Sequence, residues 1–235
     1  MKGFFVTGTS TGVGKTMVCG LLAAFLRSQG VDAVTQKWVQ TGTDKWPIDL
    51  AAHRRIMGLP ESVPEGMLED LCPYRFAFPS SPHLAAEREG RGIAASVIEE
   101  AYRRLEASHE IVLVEGVGGF LVPLSKDLLT CDLVARLGLP VLLVVGNRLG
   151  CVNHALLTVE AIRRRELPLV GLIFNRVPGG SVWSPEEVLA DNVRIVGEIS
   201  GAPVLGEVPY LADPVRSAEA FAPVGHAFLE RMRAV

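Results

Sequence analysis

The chain has 235 residues, which suits one sizeable α/β domain, and 49% of them are hydrophobic, enough for a sheet buried on both faces. Its net charge is −3 and its only basic run is Arg163-Arg164-Arg165, so a nucleic-acid partner is not expected. Cys19, Cys72, Cys131 and Cys151 are too far apart for a zinc knuckle or a redox pair, and no apolar stretch approaches the ~20 residues of a membrane span.

Phe4–Thr7 reads as a short buried strand. It leads into Gly8-Thr9-Ser10-Thr11-Gly12-Val13-Gly14-Lys15-Thr16, a complete G-x-x-x-x-G-K-T loop. Without Cβ atoms, its glycines let successive N–H groups turn toward phosphate oxygens. Lys15 can reach the β- and γ-phosphates of a nucleoside triphosphate, and the Thr16 hydroxyl can ligate Mg²⁺. The helical spacing of Met17, Leu21, Leu22, Phe25 and Leu26 predicts a helix over Lys15–Gln29, and its N-terminus completes an anion site. The chain enters this motif within its first residues, leaving no room for a signal peptide, and a soluble cytoplasmic protein is expected.

Ala33–Val39 reads as the second strand. A long excursion follows, from about Asp44 to Glu89. Its prolines Pro60, Pro64, Pro73, Pro79 and Pro82 predict loops with one short helix near Ile48–Met57. So long an insertion is either a substrate-covering element or a surface embellishment. Helical patterns over Ala94–Glu106, Val152–Arg165, Pro185–Ser200 and Val224–Arg233 alternate with apolar runs at Ile111–Glu115, Val141–Gly146, Leu169–Asn175 and Val204–Val208. The expectation is a doubly wound, mostly parallel α/β sheet, with residues 1–235 as one domain.

Ligands of such sheets bind at the C-terminal strand ends. The polar residues there are Thr7, Lys37, Glu115 and Asn175. Glu115, after Ile111-Val112-Leu113-Val114 and before Gly116, has the position of an acidic Mg²⁺ partner, and Asp49 is the candidate for a second carboxylate. Lys37 is either a snorkelling strand-end lysine or a cation that stabilises charge developing on a transferred phosphoryl group; the second is favoured. Gly146–His154 joins a strand to a helix, as a plain turn or a second anion site. His53, His83, His109, His154 and His226 show no metal-ligand spacing, and each is read as a surface or satisfied histidine.

Taken together, Gly8–Thr16, Lys37-Trp38-Val39-Gln40-Thr41-Gly42, Pro73-Tyr74-Arg75-Phe76, Pro79-Ser80-Ser81-Pro82-His83, Val114–Gly119, Arg148–Ala155 and Gly206-Glu207-Val208-Pro209 resemble the dethiobiotin synthetases of the biotin pathway. The resemblance runs along nearly the whole chain. It implies a P-loop, SIMIBI-like fold, a homodimer, and a ligase that joins ATP, CO₂ and 7,8-diaminononanoate through a carbamate and a carbamic–phosphoric anhydride. It implies Gly12, Val13, Gly14, Lys15, Thr16 and Glu115 around the phosphates, with Asn175 and Pro209 at the adenine. Thr16, Asp49 and Glu115 would surround Mg²⁺. Lys37, Lys15 and Thr11 would be catalytic, and Thr11, Lys37 and Thr41 would surround the diamine and its carbamate. Gly150, Cys151 and Asn153 would take the substrate carboxylate from the partner subunit. Two departures stand out: Ser10 where the loop commonly carries Asp, and Trp38 where Pro commonly follows the lysine. The partitioning NTPases of the same superfamily carry an extra lysine at the position of Ser10, which argues against that class.

Overall fold

The continuous apolar runs become the interior of one parallel sheet. The computed structural model describes residues 2–43, 46–177, 184–210 and 214–233. In chain order the elements are β1 (Gly3–Gly8), α1 (Lys15–Ser28), β2 (Ala33–Lys37), β3 (Val39–Thr41), α2 (Ile48–Ile56), α3 (Glu65–Leu71), β4 (Tyr74–Phe76), α4 (Pro82–Arg88) and α5 (Ala95–Ser108). There follow β5 (Ile111–Glu115), β6 (Pro123–Ser125), β7 (Leu128–Leu129), α6 (Thr130–Leu137), β8 (Val141–Asn147), α7 (Cys151–Arg163), β9 (Leu169–Arg176), α8 (Glu186–Ser200), β10 (Val204–Val208) and α9 (Pro214–Met232). Six strands lie in the order β10-β9-β8-β1-β5-β2, all parallel. None of the helices described is long and apolar enough to cross a membrane.

Successive side chains of a strand point to opposite faces of its sheet. Phe4 and Val6 accordingly join Leu22 and Phe25 of α1 and Phe221 and Phe228 of α9 in one core layer. Phe5, between them, joins Val112, Val114 and Leu143 in the other, under α5 and α7. Helices on both faces are why the strands read as unbroken apolar runs. Each fully buried Phe or Leu contributes ~1.5–3 kcal/mol. The cysteines are free and buried.

The second strand departs from expectation. It ends at Lys37, not Val39, because Trp38 turns its indole into the core. The ring packs 5.1 Å from Phe5, and Nε1 donates to Gln36 Oε1 at 3.0 Å, while Gln36 Nε2 donates to the Asp70 carbonyl. Val39–Thr41 then leaves the main sheet and pairs with β4, a strand from within the excursion.

The excursion is also more regular than expected. Beside α2 it holds α3, β4 and α4, and its first residues, Asp44 and Lys45, lie outside the described residues. Two of its prolines initiate helices, Pro64 as the N-cap of α3 and Pro82 at the opening of α4, while Pro60, Pro73 and Pro79 lie in loops as expected. A residue that lacks an N–H loses nothing in a first helical turn, where that group has no partner. Two further corrections concern helices. The last one was expected from Val224 but begins at Pro214 and runs through Pro223, and α6 with its β6–β7 ribbon was not expected at all.

Candidate active site

The ends of β1, β2 and β5 and the start of α2 meet at one cavity of about 690 Å³, a size typical of small-molecule sites. Its wall includes Thr11, Gly12, Gly14, Lys15 and Thr16 of the glycine loop, Lys37, Thr41, Asp49 and Glu115. Pro79, Ser80 and Ser81 of the excursion close another side.

The loop is shaped by its neighbours. Gly14 is the N-cap of α1 at φ 94°, in the left-handed region. No acidic residue occupies the first turn of α1, so its free N–H groups and dipole favour an anion. Asn175, at the end of β9, donates from Nδ2 to the Val13 carbonyl at 2.9 Å and so holds the loop from beneath. A Cβ on Gly14 would lie 2.0 Å from that Nδ2. Gly14→Ala is therefore expected to weaken ATP binding by ~100-fold, from ~1–2 kcal/mol of left-handed strain plus the lost Asn175 bond. Calorimetric titration checks this; unchanged affinity would mean that the loop adapts to a side chain there.

Behind the loop sits a buried charge cluster. The strand register places Lys37 directly opposite Glu115 on the adjacent strand. Lys37 Nζ lies 2.8 Å from Glu115 Oε1 and 2.7 Å from Asp49 Oδ2, and donates to the Gly116 carbonyl at 3.1 Å. Thr16 Oγ1 is 3.0 Å from Glu115 Oε1 and 3.2 Å from Asp49 Oδ1, so its single proton serves one carboxylate at a time. His53 Nε2 lies 2.7 Å from Glu115 Oε2. The N–H of Asp49 donates to Gln40 Oε1, which ties the start of α2 to β3.

These contacts set the charges. Burial would raise the Glu115 carboxyl, but Lys37 and then His53 outweigh it and hold it well below the usual carboxylate range. Burial would lower Lys37, but Glu115 and Asp49 hold it above its ordinary value. Lys15 behaves differently: burial, and then the charge of Lys37, push it down to about 8. Its Nζ turns back onto the Ser10 carbonyl at 3.0 Å. Lys37 is thus a permanent, neutralised cation, whereas Lys15 is a cation short of negative charge, the condition that a polyphosphate relieves.

Thr16 Oγ1 and the two carboxylates form an all-oxygen donor set. Among the described residues, no group of three or more His, Cys, Asp or Glu side chains could hold a metal alone. Two carboxylates with a hydroxyl fit Mg²⁺, which keeps waters and takes phosphate oxygens for its remaining positions.

The other candidate residues lie apart from the cavity wall. Val13 is buried and offers its carbonyl to Asn175; Pro209 is half-buried just after β10. Gly150, Cys151 and Asn153 are at the start of α7; Gly150 and Asn153 are exposed, and Cys151 is buried with its Sγ toward Asn147. None of these three lines the cavity.

One residue of the cluster carries no role in the sequence reading. Of the two expectations for His53, surface or satisfied, the structure shows the second: it is wholly buried with Nε2 on Glu115, while among the described residues Nδ1 finds no partner. Its spacing one helical turn after Asp49 was the available signal, since such residues share a helix face.

Residues 2–218 match a family profile described as an AAA domain. A protein of Anaeromyxobacter dehalogenans (strain 2CP-C) named ATP-dependent dethiobiotin synthetase BioD is 43% identical over 225 residues, covering 95% of this chain and 97% of its own length. A protein of the same name from Chlorobaculum tepidum is 43% identical over 199 residues, covering 83% and 80%. Among solved structures, the MinC:MinD cell division complex of Aquifex aeolicus superposes with a TM-score of 0.62 at 12% identity, covering 98% of this chain and 96% of that one. The Pyrococcus furiosus cell division ATPase MinD gives 0.59 at 15%, covering 98% and 99%. At such identities the likeness is one of fold, that of the P-loop NTPases.

Proposed function

Because this chain belongs to the ATP-dependent dethiobiotin synthetase family, a family of ligases, we propose that its cavity closes a cyclic urea by phosphoryl activation of a carbamate. The substrates are ATP and a diaminononanoate; CO₂ is the proposed carbon source. The observation that carries the reading is that Lys15, Lys37, Thr16, Asp49 and Glu115, from four separate elements, line one cavity.

In the proposed sequence one unprotonated amine of 7,8-diaminononanoate adds to CO₂, giving a carbamate and a proton. A carbamate oxygen attacks the γ-phosphorus of ATP and ADP departs, leaving a carbamic–phosphoric anhydride. The second amine attacks the carbonyl carbon, phosphate leaves with the electron pair, and a proton is lost as the ring closes. No covalent nucleophile is required of the protein, whose part is alignment and charge stabilisation. The glycine loop and Lys15 hold the β- and γ-phosphates. Lys37 faces the carbamate and the phosphoryl group as a fixed cation, with Thr11 and Thr41 beside it. Thr16, Asp49 and Glu115 would hold Mg²⁺, which when bound supplies neutralising charge on the phosphate oxygens. Asn175 spends its Nδ2 on Val13, which leaves Oδ1 to accept from an adenine amino group, with Pro209 beside the base.

Gly150, Cys151 and Asn153 of the partner subunit would take the substrate carboxylate at the helix N-terminus. Two observations support a dimer: these residues lie outside the cavity of their own chain, and exposed Leu121 and Leu157 share an apolar recess with Pro123 and Ala161. Burying such a recess is favourable.

The test is product analysis with MgATP, labelled bicarbonate and 7,8-diaminononanoate. Acid-stable label in a product formed in step with ADP is the expected result. ATP hydrolysis without label incorporation would overturn the reading.

A further inference from the structure

We propose that His53 is a positioning residue for the carboxylate of Glu115: its Nε2–H grips Oε2 and thereby presents Oε1 to Thr16, Lys37 and the bound metal. The inference rests on the magnesium reading above.

Glu115 divides its two oxygens. Oε1 is shared by Thr16 at 3.0 Å and Lys37 at 2.8 Å. Oε2 meets His53 Nε2 at 2.7 Å, and no other hydrogen bond to it is found among the described residues. A carboxylate oxygen only accepts, so Nε2 carries the proton and donates. The terminal torsion of a glutamate is broad and roughly two-fold. Without the imidazole, nothing on the Oε2 side would hold that torsion, and the carboxylate could turn away from the cavity.

A space-filling role does not account for this residue. His53 is 0% exposed and, among the described residues, its Nδ1 has no partner. A buried unpartnered nitrogen costs free energy that leucine, of similar bulk, would avoid. Among the described residues, the one polar bond of the ring is that to Glu115. The surroundings are built to bring it there. α2 carries both Asp49 and His53, and it lies close against α1 because Gly20 has no side chain. A Cβ on Gly20 would stand 3.3 Å from the His53 Cα and 2.8 Å from Ile56 Cδ1. One helix therefore delivers a carboxylate to the cation site and, one turn later, the group that orients the other carboxylate. Partners of this kind behind a metal ligand typically change metal affinity by ~10–100-fold when removed.

The experiment measures ADP binding by calorimetry at stepped Mg²⁺ concentrations, for the parent, His53→Leu and His53→Gln. His53→Leu is expected to raise the Mg²⁺ concentration for half-effect by ~10-fold or more. Its affinity for ADP in EDTA should stay near that of the parent. His53→Gln, whose amide N–H can reach Oε2, is expected to recover most of the loss. If His53→Leu does not fold, His53→Asn, too short to reach Oε2, makes the same comparison. Unchanged Mg²⁺ dependence in the variant would overturn the proposal, as would an equal loss of metal-free ADP affinity. A parent protein whose ADP binding ignores Mg²⁺ would instead bring down the metal reading, and this inference with it.

Discussion

Replacing Lys37 with glutamine is expected to lower kcat by ~10²–10³-fold, the usual cost of removing one group that stabilises transition-state charge. ATP affinity should change by less than about threefold, because the loop N–H groups and Lys15 hold the phosphates in either protein. Lys37 is set apart for this task by Glu115 and Asp49, which keep it charged against the effect of its burial. Glutamine preserves bulk and a donor but removes the charge. A secondary effect follows at Lys15. Lys37 is one cause of its lowered pKa of about 8, so in the variant Lys15 should titrate higher. Steady-state kinetics with a parallel binding titration separate the outcomes: equal losses in kcat and affinity would reduce Lys37 to a binding residue.

Glu115→Gln is expected to be strongly destabilising for so conservative a change. It strips the buried Lys37 of one of its two carboxylates. Breaking a buried pair from one side costs ~3–5 kcal/mol. The lower end applies here, because Asp49 remains and an amide oxygen still accepts. At ~2–4 °C per kcal/mol for a chain of this size, Tm should fall by roughly 10 °C. The pH dependence carries a sign. Glu115 is held below its ordinary value by Lys37 and His53, against the opposing effect of burial. A carboxyl depressed on folding contributes stability that is present above its unfolded pKa of about 4.3 and is lost as the pH falls toward the folded value. In EDTA, the gap in stability between parent and variant should therefore hold at neutral pH and narrow below about pH 4. A gap that stays constant through pH 3 would mean that folding does not depress the Glu115 carboxyl. The same variant should need more Mg²⁺ for activity, and an unchanged metal titration would remove Glu115 from the ligand set.

Trp38 illustrates where pattern reading stops. Its indole was counted within a continuous strand, but the ring found a place against Phe5 and the backbone left the sheet one residue after Lys37. Hydrophobicity says that a residue will be buried; it does not say on which side of which neighbour. Pro64 and Pro82 of the excursion misled for a related reason. A proline stops a helix that precedes it and starts one that follows, and only the surrounding chain decides which.

The glycine loop, the anion site at the start of α1 and the sheet built from apolar runs were legible in the residues themselves. Each depends on backbone freedom or side-chain period within a few neighbouring positions. The charge cluster was decided by tertiary structure. Lys37 and Glu115 are 78 residues apart, and His53 and Glu115 are 62 apart. They meet because β2 lies beside β5 in the register that aligns Lys37 with Glu115, and because α2 packs on α1 at Gly20. Strand order and helix approach are outcomes of the whole core, and no local pattern encodes them.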